Sequence, residues 1–310
     1  MREFVKVFSP ATVANVGCGF DVVGFSFSAV GDIISFRKID EPGVFIKAVR
    51  GKYEIPGDPE RNTITIPILK VMEDKNVDFG VEVEIEKNIP VAGGLGSSAA
   101  GAVAGAVGIN YLLGNILDDN KILEYALVAE EKVSGGRHAD NIAPCFYGGF
   151  VIVRDVFSME VVRIPFPEDL FCVVIHPHVS LRTEDSRKVL PEKIFLGDVV
   201  KQMAHLSCFI SGLLLGRKDL LSAVNFDCVA EPVRSRLIPE YRMIKEVALE
   251  AGAIGCNISG SGPSVFAFVE GERETEHVGK EMGSVWDRIG LEYDLYVGKV
   301  SEQGVRLIEE

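Results

Sequence analysis

The chain has no C-x-x-C pair. Its six cysteines, Cys18, Cys145, Cys172, Cys208, Cys228 and Cys256, are scattered along 310 residues. That spacing makes neither a zinc ribbon nor a disulfide framework, and most of these residues read as buried thiols in a reducing cytoplasm. Positive charge is also short: 32 Lys and Arg stand against 45 Asp and Glu, a net charge of −13. An acidic surface repels nucleic acid and anionic lipid unless a basic patch intervenes, and Arg182, Arg187 and Lys188 are too few to make one. No nucleic-acid partner is expected. No lysine lies between Asn88 and Asn120, which excludes a Walker A loop, G-x-x-x-x-G-K-[ST], in that region. Long apolar runs are few. The start, Met1 to Lys6, lacks the apolar core of a secretion signal. Ala99 to Leu117 is nearly uncharged and has the length of a membrane span, but it is rich in Ala and Gly and carries Asn110 and Asn115. Such a helix suits close packing inside protein, with Gly101-x-x-x-Gly105 as a contact face. A cytoplasmic protein that does not insert into membranes is expected.

At 47% hydrophobic and 25% charged residues, the composition is that of a globular protein long enough for two lobes. Its organising stretch is Pro90-Val91-Ala92-Gly93-Gly94-Leu95-Gly96-Ser97-Ser98-Ala99-Ala100-Gly101. The alternating run Val81 to Glu86 before it predicts a strand, and the small-residue run through Val107 predicts a helix. A glycine-rich turn into a helix gathers unpartnered N–H groups at the positive end of the helix dipole, a setting that favours phosphate. Ser97 and Ser98 either cap the helix or reach a phosphate or Mg²⁺. Gly94 to Ala99 also fits the dinucleotide pattern G-x-G-x-x-A, but the supporting acidic residue would fall at Gly114 to Asp119, between two helical patterns. The loop therefore reads as a phosphate cradle of a third kind.

Phe4 to Phe8 is expected as a short strand, followed by a loop from Ser9 to Asp21. In that loop Asn15 and Asp21 are either turn residues or ligands for an amine or hydroxyl. Ile33–Lys38 and Val44–Val49 are strand-like, joined across the turn signal Asp40-Glu41-Pro42-Gly43. Asn62 is expected to cap a helix reaching Lys75, with contact to a nucleotide base as the lesser alternative. A helix from Asp118, its plausible cap, to about Val133 leads into the polar cluster Glu130 to Asn141. There Glu130 is a Mg²⁺ ligand or a solvated helix charge, and His138 and Asp140 suit acid–base chemistry or the holding of a hydroxyl.

Val151–Arg154, Val161–Ile164 and Leu170–Ile175 are strand-like, and Pro165-Phe166-Pro167 marks a lobe boundary, with lobes of residues 1–164 and 165–310. His176-Pro177-His178 has no third ligand nearby and reads as a strand end. Thr183 is expected as an N-cap, with Arg187 pairing with Glu184 or Asp185. Phe195 to Leu215 is a long helix expected in the core. Helices near Glu240–Ala251 and Glu272–Gly283 and strands at Val265–Val269 and Glu292–Val297 complete the chain. Gly252 to Ser264 is a second glycine- and serine-rich turn, either a hairpin loop or a second source of N–H groups, and two such loops favour one shared ligand site.

Three stretches together, Ser9–Gly24, Pro90–Gly101 and Gly252–Phe266, resemble the three motifs of the GHMP small-molecule kinases, which include galactokinase, homoserine kinase, mevalonate kinase and phosphomevalonate kinase. Within that superfamily, Ser9 to Asn15 with Gly19-Phe20-Asp21, His138 to Pro144, Thr183 to Pro191, and Glu231-Pro232-Val233-Arg234 with Ile238-Pro239 resemble the homoserine kinases. The resemblance implies an α+β, two-lobed fold. Its N-terminal lobe would bind the nucleotide, in the manner of the second domain of ribosomal protein S5, and its C-terminal lobe would be a ferredoxin-like α/β unit. It implies ATP-dependent phosphorylation of L-homoserine on its side-chain hydroxyl, a step toward threonine, in a homodimer using ATP and Mg²⁺. Pro90 to Ala100 and the Gly260-Ser261-Gly262 turn would hold ATP, Asn62 would lie near adenine, and Ser98 with Glu130 would hold the metal. Asn15, Asp21, His138, Arg187 and Arg234 would bind the amino acid, Asp140 would orient or deprotonate its hydroxyl, and Thr183 would assist. A mevalonate or phosphomevalonate kinase, or an inactive ligand-sensing homologue, is the alternative.

Overall fold

The computed structural model describes residues 2–309. Its strands are β1 (Phe4–Ala14), β2 (Val23–Ile39), β3 (Val44–Gly51), β4 (Gly80–Lys87), β5 (Phe150–Asp155), β6 (Glu160–Ile164), β7 (Leu170–Pro177), β8 (Gly255–Ile258), β9 (Val265–Glu270), β10 (Tyr293–Gly298) and β11 (Arg306–Glu309). Its helices are α1 (Thr65–Lys75), α2 (Ser97–Leu112), α3 (Asp119–Ser134), α4 (Ile142–Tyr147), α5 (Thr183–Lys188), α6 (Leu196–Leu215), α7 (Glu231–Arg234), α8 (Tyr241–Glu250) and α9 (Glu272–Asp287).

Two sheets make the α+β architecture. The first has the order β11-β1-β2-β4-β3, with β5 and β6 branching from β2. The second has the order β10-β7-β9-β8, antiparallel throughout, which in chain order is 4-1-3-2, the ferredoxin-like arrangement. Strands β7, β8 and β9 bury both faces, whereas the edge strand β10 does not, so side chains of opposite parity on β7 and β9 enter different cores. Cys172, Val174, Phe266 and Phe268 face the core of the first sheet, where Phe25, Phe166 and Phe209 meet the two phenylalanines. Val173, Ile175, Val265, Ala267 and Val269 face α8 and α9, including the buried Trp286.

The small-residue helix α2 is buried almost all round beneath the first sheet, and the reason for its composition is steric. A Cβ on Gly105 would overlap the carbonyl oxygen of Ile64, and one on Gly108 would overlap the ring of Phe36. No helix among the described residues is long and apolar enough to cross a membrane.

The fold departs from the sequence expectations at several points. β1 runs on to Ala14, because the stretch read as a loop pairs in register with Gly24–Phe27 of β2 after a bulge at Pro10/Ala11. The turn after β2 does not close a hairpin: β3 pairs in parallel with β4, which lies between it and β2. Helix α6 is not core. Only Phe209, Gly212 and Leu213 are buried, while Leu196, Val200, Met203 and Leu215 stand exposed. Helix α4 and strand β11, which returns the chain to β1, carry no pattern that identified them.

Candidate active site

The β4–α2 loop turns through glycine because its path demands it. Gly94 (φ +76°) and Gly96 (φ +66°) lie in the left-handed region, and Gly96 enters α2 without any side-chain cap. Of the two alternatives for Ser97 and Ser98, capping of the helix is therefore not the one adopted; the Ser98 hydroxyl is buried with no hydrogen-bond partner. Three successive carbonyls of the loop are held from behind. Gly93 accepts from the Ser264 hydroxyl (2.5 Å), Gly94 from the Ser259 hydroxyl (2.7 Å) and Leu95 from the Thr12 N–H (3.1 Å). In a planar trans peptide the N–H points opposite to the C=O. The N–H groups of Gly94, Leu95 and Gly96 are thus turned away from these partners and toward the cavity, at the positive end of α2. The Gly252–Ser264 turn does not simply close a hairpin; its serines shape the first turn.

Two cavities meet at this loop. One, of about 90 Å³, is lined by the loop, by Asn15, His138, Asp140 and Asn141, by Thr183, Arg187 and Arg234, and by Gly260 and Ser261. The other, of about 310 Å³, is more apolar, with Ile55, Pro56, Ile64, Val91 and Val133 in its wall. They share Ala92, Ser97, Ser98, Glu130 and Thr183. Of the expected nucleotide residues, Pro90, Leu95, Ala100 and Gly262 line neither cavity; Leu95 and Ala100 are core side chains. Asn62 lines the larger cavity, but its amide is spent on the wall itself. It donates to the Pro56 carbonyl (2.7 Å) and accepts from the Ile64 N–H (2.9 Å), ahead of α1 rather than as its N-cap.

At the smaller cavity, charge is concentrated in a small volume. Arg187 does not pair with Glu184 or Asp185; it reaches across the fold and donates twice to Asp21, at 3.1 and 2.9 Å. Arg234 is almost fully buried, donates to the Ser186 and Gly260 carbonyls (3.2 and 3.1 Å) and lies over the Phe20 ring. Burial, then the neighbouring Arg187, brings its pKa down to about 10, so it stays charged. The Nε of Arg187 and one Nη of Arg234 are buried without a hydrogen-bond partner, an expensive state that an incoming anion would relieve. His138 sits 3.9 Å from Asp21 and is held neutral by burial and then by Arg187. Asp140 is buried, and desolvation, followed by the charge of Asp21, raises its pKa to about 7.

Asn15 and Asp21 both adopt left-handed backbone (φ +56° and +54°), strain of the kind found at binding sites. The Asn15 amide donates to the Gly260 carbonyl and accepts from the Asp21 N–H, tying the two loops together. Thr183 follows the N-cap, Arg182, rather than being it, and its hydroxyl lies 3.4 Å from that of Ser261. Sequence reasoning missed Asn141, which accepts from the Thr12 hydroxyl (2.7 Å) in the cavity wall, and Lys87, a buried partner of Asp32 beside the larger cavity. Only the position of Asn141 within the polar cluster hinted at it.

Family models match two parts of the chain: the GHMP kinases N terminal domain over residues 62–149 and the GHMP kinases C terminal over residues 209–288. A homoserine kinase of Chlorobium phaeobacteroides (strain BS1) is 38% identical over 317 residues, covering 98% of this chain and 99% of that one. The crystal structure of a homoserine kinase from Cytophaga hutchinsonii superposes with a TM-score of 0.94 at 42% identity, covering 99% and 98% of the two chains. A mevalonate kinase of L. major, 18% identical with a TM-score of 0.69 over 95% and 96% of the two chains, shares the fold.

Proposed function

The chain belongs to the GHMP kinase family, and on that footing we propose that it transfers the γ-phosphoryl group of ATP to the side-chain hydroxyl of L-homoserine, forming O-phospho-L-homoserine. The observation that carries the acceptor is the pair of unpartnered guanidinium N–H groups on Arg187 and Arg234, two residues that line one small cavity beside Asp21. A zwitterionic amino acid matches this set: its carboxylate takes the two guanidinium donors, in charge-assisted bonds. Its ammonium takes Asp21, whose carboxylate has four lone-pair sites and gives two to Arg187.

The larger cavity suits adenosine, and the glycine loop suits the phosphates at the junction between the two. The Ser98 hydroxyl, buried without a partner, and Glu130, which lines both cavities, fit Mg²⁺, which takes one or two protein oxygens alongside substrate phosphates. When bound, the ion would neutralise phosphate charge.

Phosphoryl transfer asks the protein mainly for alignment and electrostatic stabilisation. The homoserine oxygen bonds to the γ-phosphorus, the bridging P–O bond to ADP breaks, and the hydroxyl proton passes to Asp140, whose raised pKa suits a proton acceptor near neutrality. His138, neutral, and Thr183 orient the hydroxyl. The reading includes a cytoplasmic homodimer: the six cysteines are free thiols, and the outer face of α6 offers apolar surface.

The test is ADP release with ATP, with and without Mg²⁺, for L-homoserine, D-homoserine and R-mevalonate. Mg²⁺-dependent turnover is expected with L-homoserine alone. Turnover of mevalonate in its place would reject the acceptor assignment, and turnover of neither would point to an inactive homologue.

A further inference from the structure

The Gly93 carbonyl is held by a two-step relay from the second sheet. His176, at the end of β7, has its Nδ1 3.0 Å from the Ser264 hydroxyl oxygen, and that hydroxyl lies 2.5 Å from the Gly93 oxygen. Ser264 is fully buried and His176 nearly so. A carbonyl oxygen only accepts, so the single Ser264 proton goes to Gly93, and His176 must present Nδ1–H as the donor. The opposite tautomer would offer Ser264 a competing acceptor and leave the Gly93 carbonyl with only the longer bond it accepts from the Ser264 backbone N–H, at 3.3 Å. Burial lowers the His176 pKa to about 4, so the ring is neutral and its tautomer is decided by this bond. The ring also closes the back of the loop: a Cβ on Gly93 would lie 2.9 Å from His176 Cε1.

We propose that His176 is a positioning residue for the phosphate cradle: its Nδ1–H fixes the Ser264 proton on the Gly93 carbonyl and so aims the Gly94 N–H at the nucleotide. The relay spans the two lobes, so the second sheet holds the loop of the first in its binding form. This rests on the reading of the glycine loop as the triphosphate site.

Three variants test it. In His176→Asn the side-chain amide keeps an N–H near the Nδ1 position, whereas His176→Gln places it near Nε2; Ser264→Ala removes the relay hydroxyl. ATP binding is measured by calorimetry in Mg²⁺, along with KM for ATP and for L-homoserine, on proteins whose folding is checked by circular dichroism. His176→Gln and Ser264→Ala are expected to weaken ATP about tenfold, the scale of one lost hydrogen bond, while KM for homoserine stays within about twofold. His176→Asn is expected to stay within about twofold of the parent for both. Parent-like ATP affinity in His176→Gln, equal losses in the Asn and Gln variants, or equal rises in both KM values would each overturn the relay. If the parent protein itself binds no ATP, the nucleotide reading falls first, and the relay with it.

Discussion

Asp140→Asn separates catalysis from stability in a way that only a buried, titrating site residue would. In the folded protein Asp140 holds its proton up to about pH 7, whereas in the unfolded chain it loses it near its ordinary value of 3.8. A raised carboxyl pKa works against the fold as pH climbs. Its contribution is fully retained below 3.8, falls through the interval, and is lost above about 7. At about 1.4 kcal/mol for each pH unit the interval amounts to about 4 kcal/mol, of which about 3 kcal/mol falls between pH 5 and pH 8. Asparagine keeps the shape and cannot ionise. Relative to the parent, the variant should therefore gain stability as pH rises, by about 3 kcal/mol between urea titrations at pH 5 and pH 8. Over the same range the parent's kcat/KM for L-homoserine should climb through pH 7 as Asp140 becomes able to accept a proton, and the variant's kcat should fall by roughly 10²–10⁴-fold with ATP affinity preserved. A stability difference that does not change with pH would refute the burial argument, and undiminished turnover would remove Asp140 from the proton's path.

Arg234→Lys keeps a positive charge but cannot satisfy the Ser186 and Gly260 carbonyls and still offer a planar fork to a carboxylate. KM for L-homoserine should rise roughly 10–100-fold with KM for ATP unchanged, and parallel rises in both would count against a carboxylate role. Gly105→Ala adds a methyl group into the Ile64 carbonyl. Although alanine favours helix by about 1 kcal/mol, overpacking should prevail and cost about 2 kcal/mol net in urea unfolding. A stabilised variant would mean that α1 and α2 can move apart.

Some of this protein was legible in its sequence because the signals are local. The period-two run at Val81–Glu86, the glycine turn after it and the small-residue helix each encode backbone geometry within a few residues, and β4, the cradle and α2 follow in that order. Asp118 as the cap of α3, accepting from the Lys121 N–H, is equally local. The resemblance brought the residues of the smaller cavity together, but not who pairs with whom inside it.

Tertiary structure decided what depends on partners far along the chain. Arg187 had two acidic neighbours within three residues, yet its partner is Asp21, 166 residues away, because the loop after β1 folds against α5. Asn62 and Thr183 read as caps, and packing gave each a different partner. The apolar helix α6 read as core and lies on the surface, since hydrophobic content says that a face will be covered but not by what. His176 and Ser264 stand 88 residues apart and behind the loop they hold. Local chemistry determined that the chain would make a glycine-rich turn between a strand and a helix, and long-range packing determined which way its N–H groups face, because peptide orientation is fixed by whatever grips the opposite carbonyl.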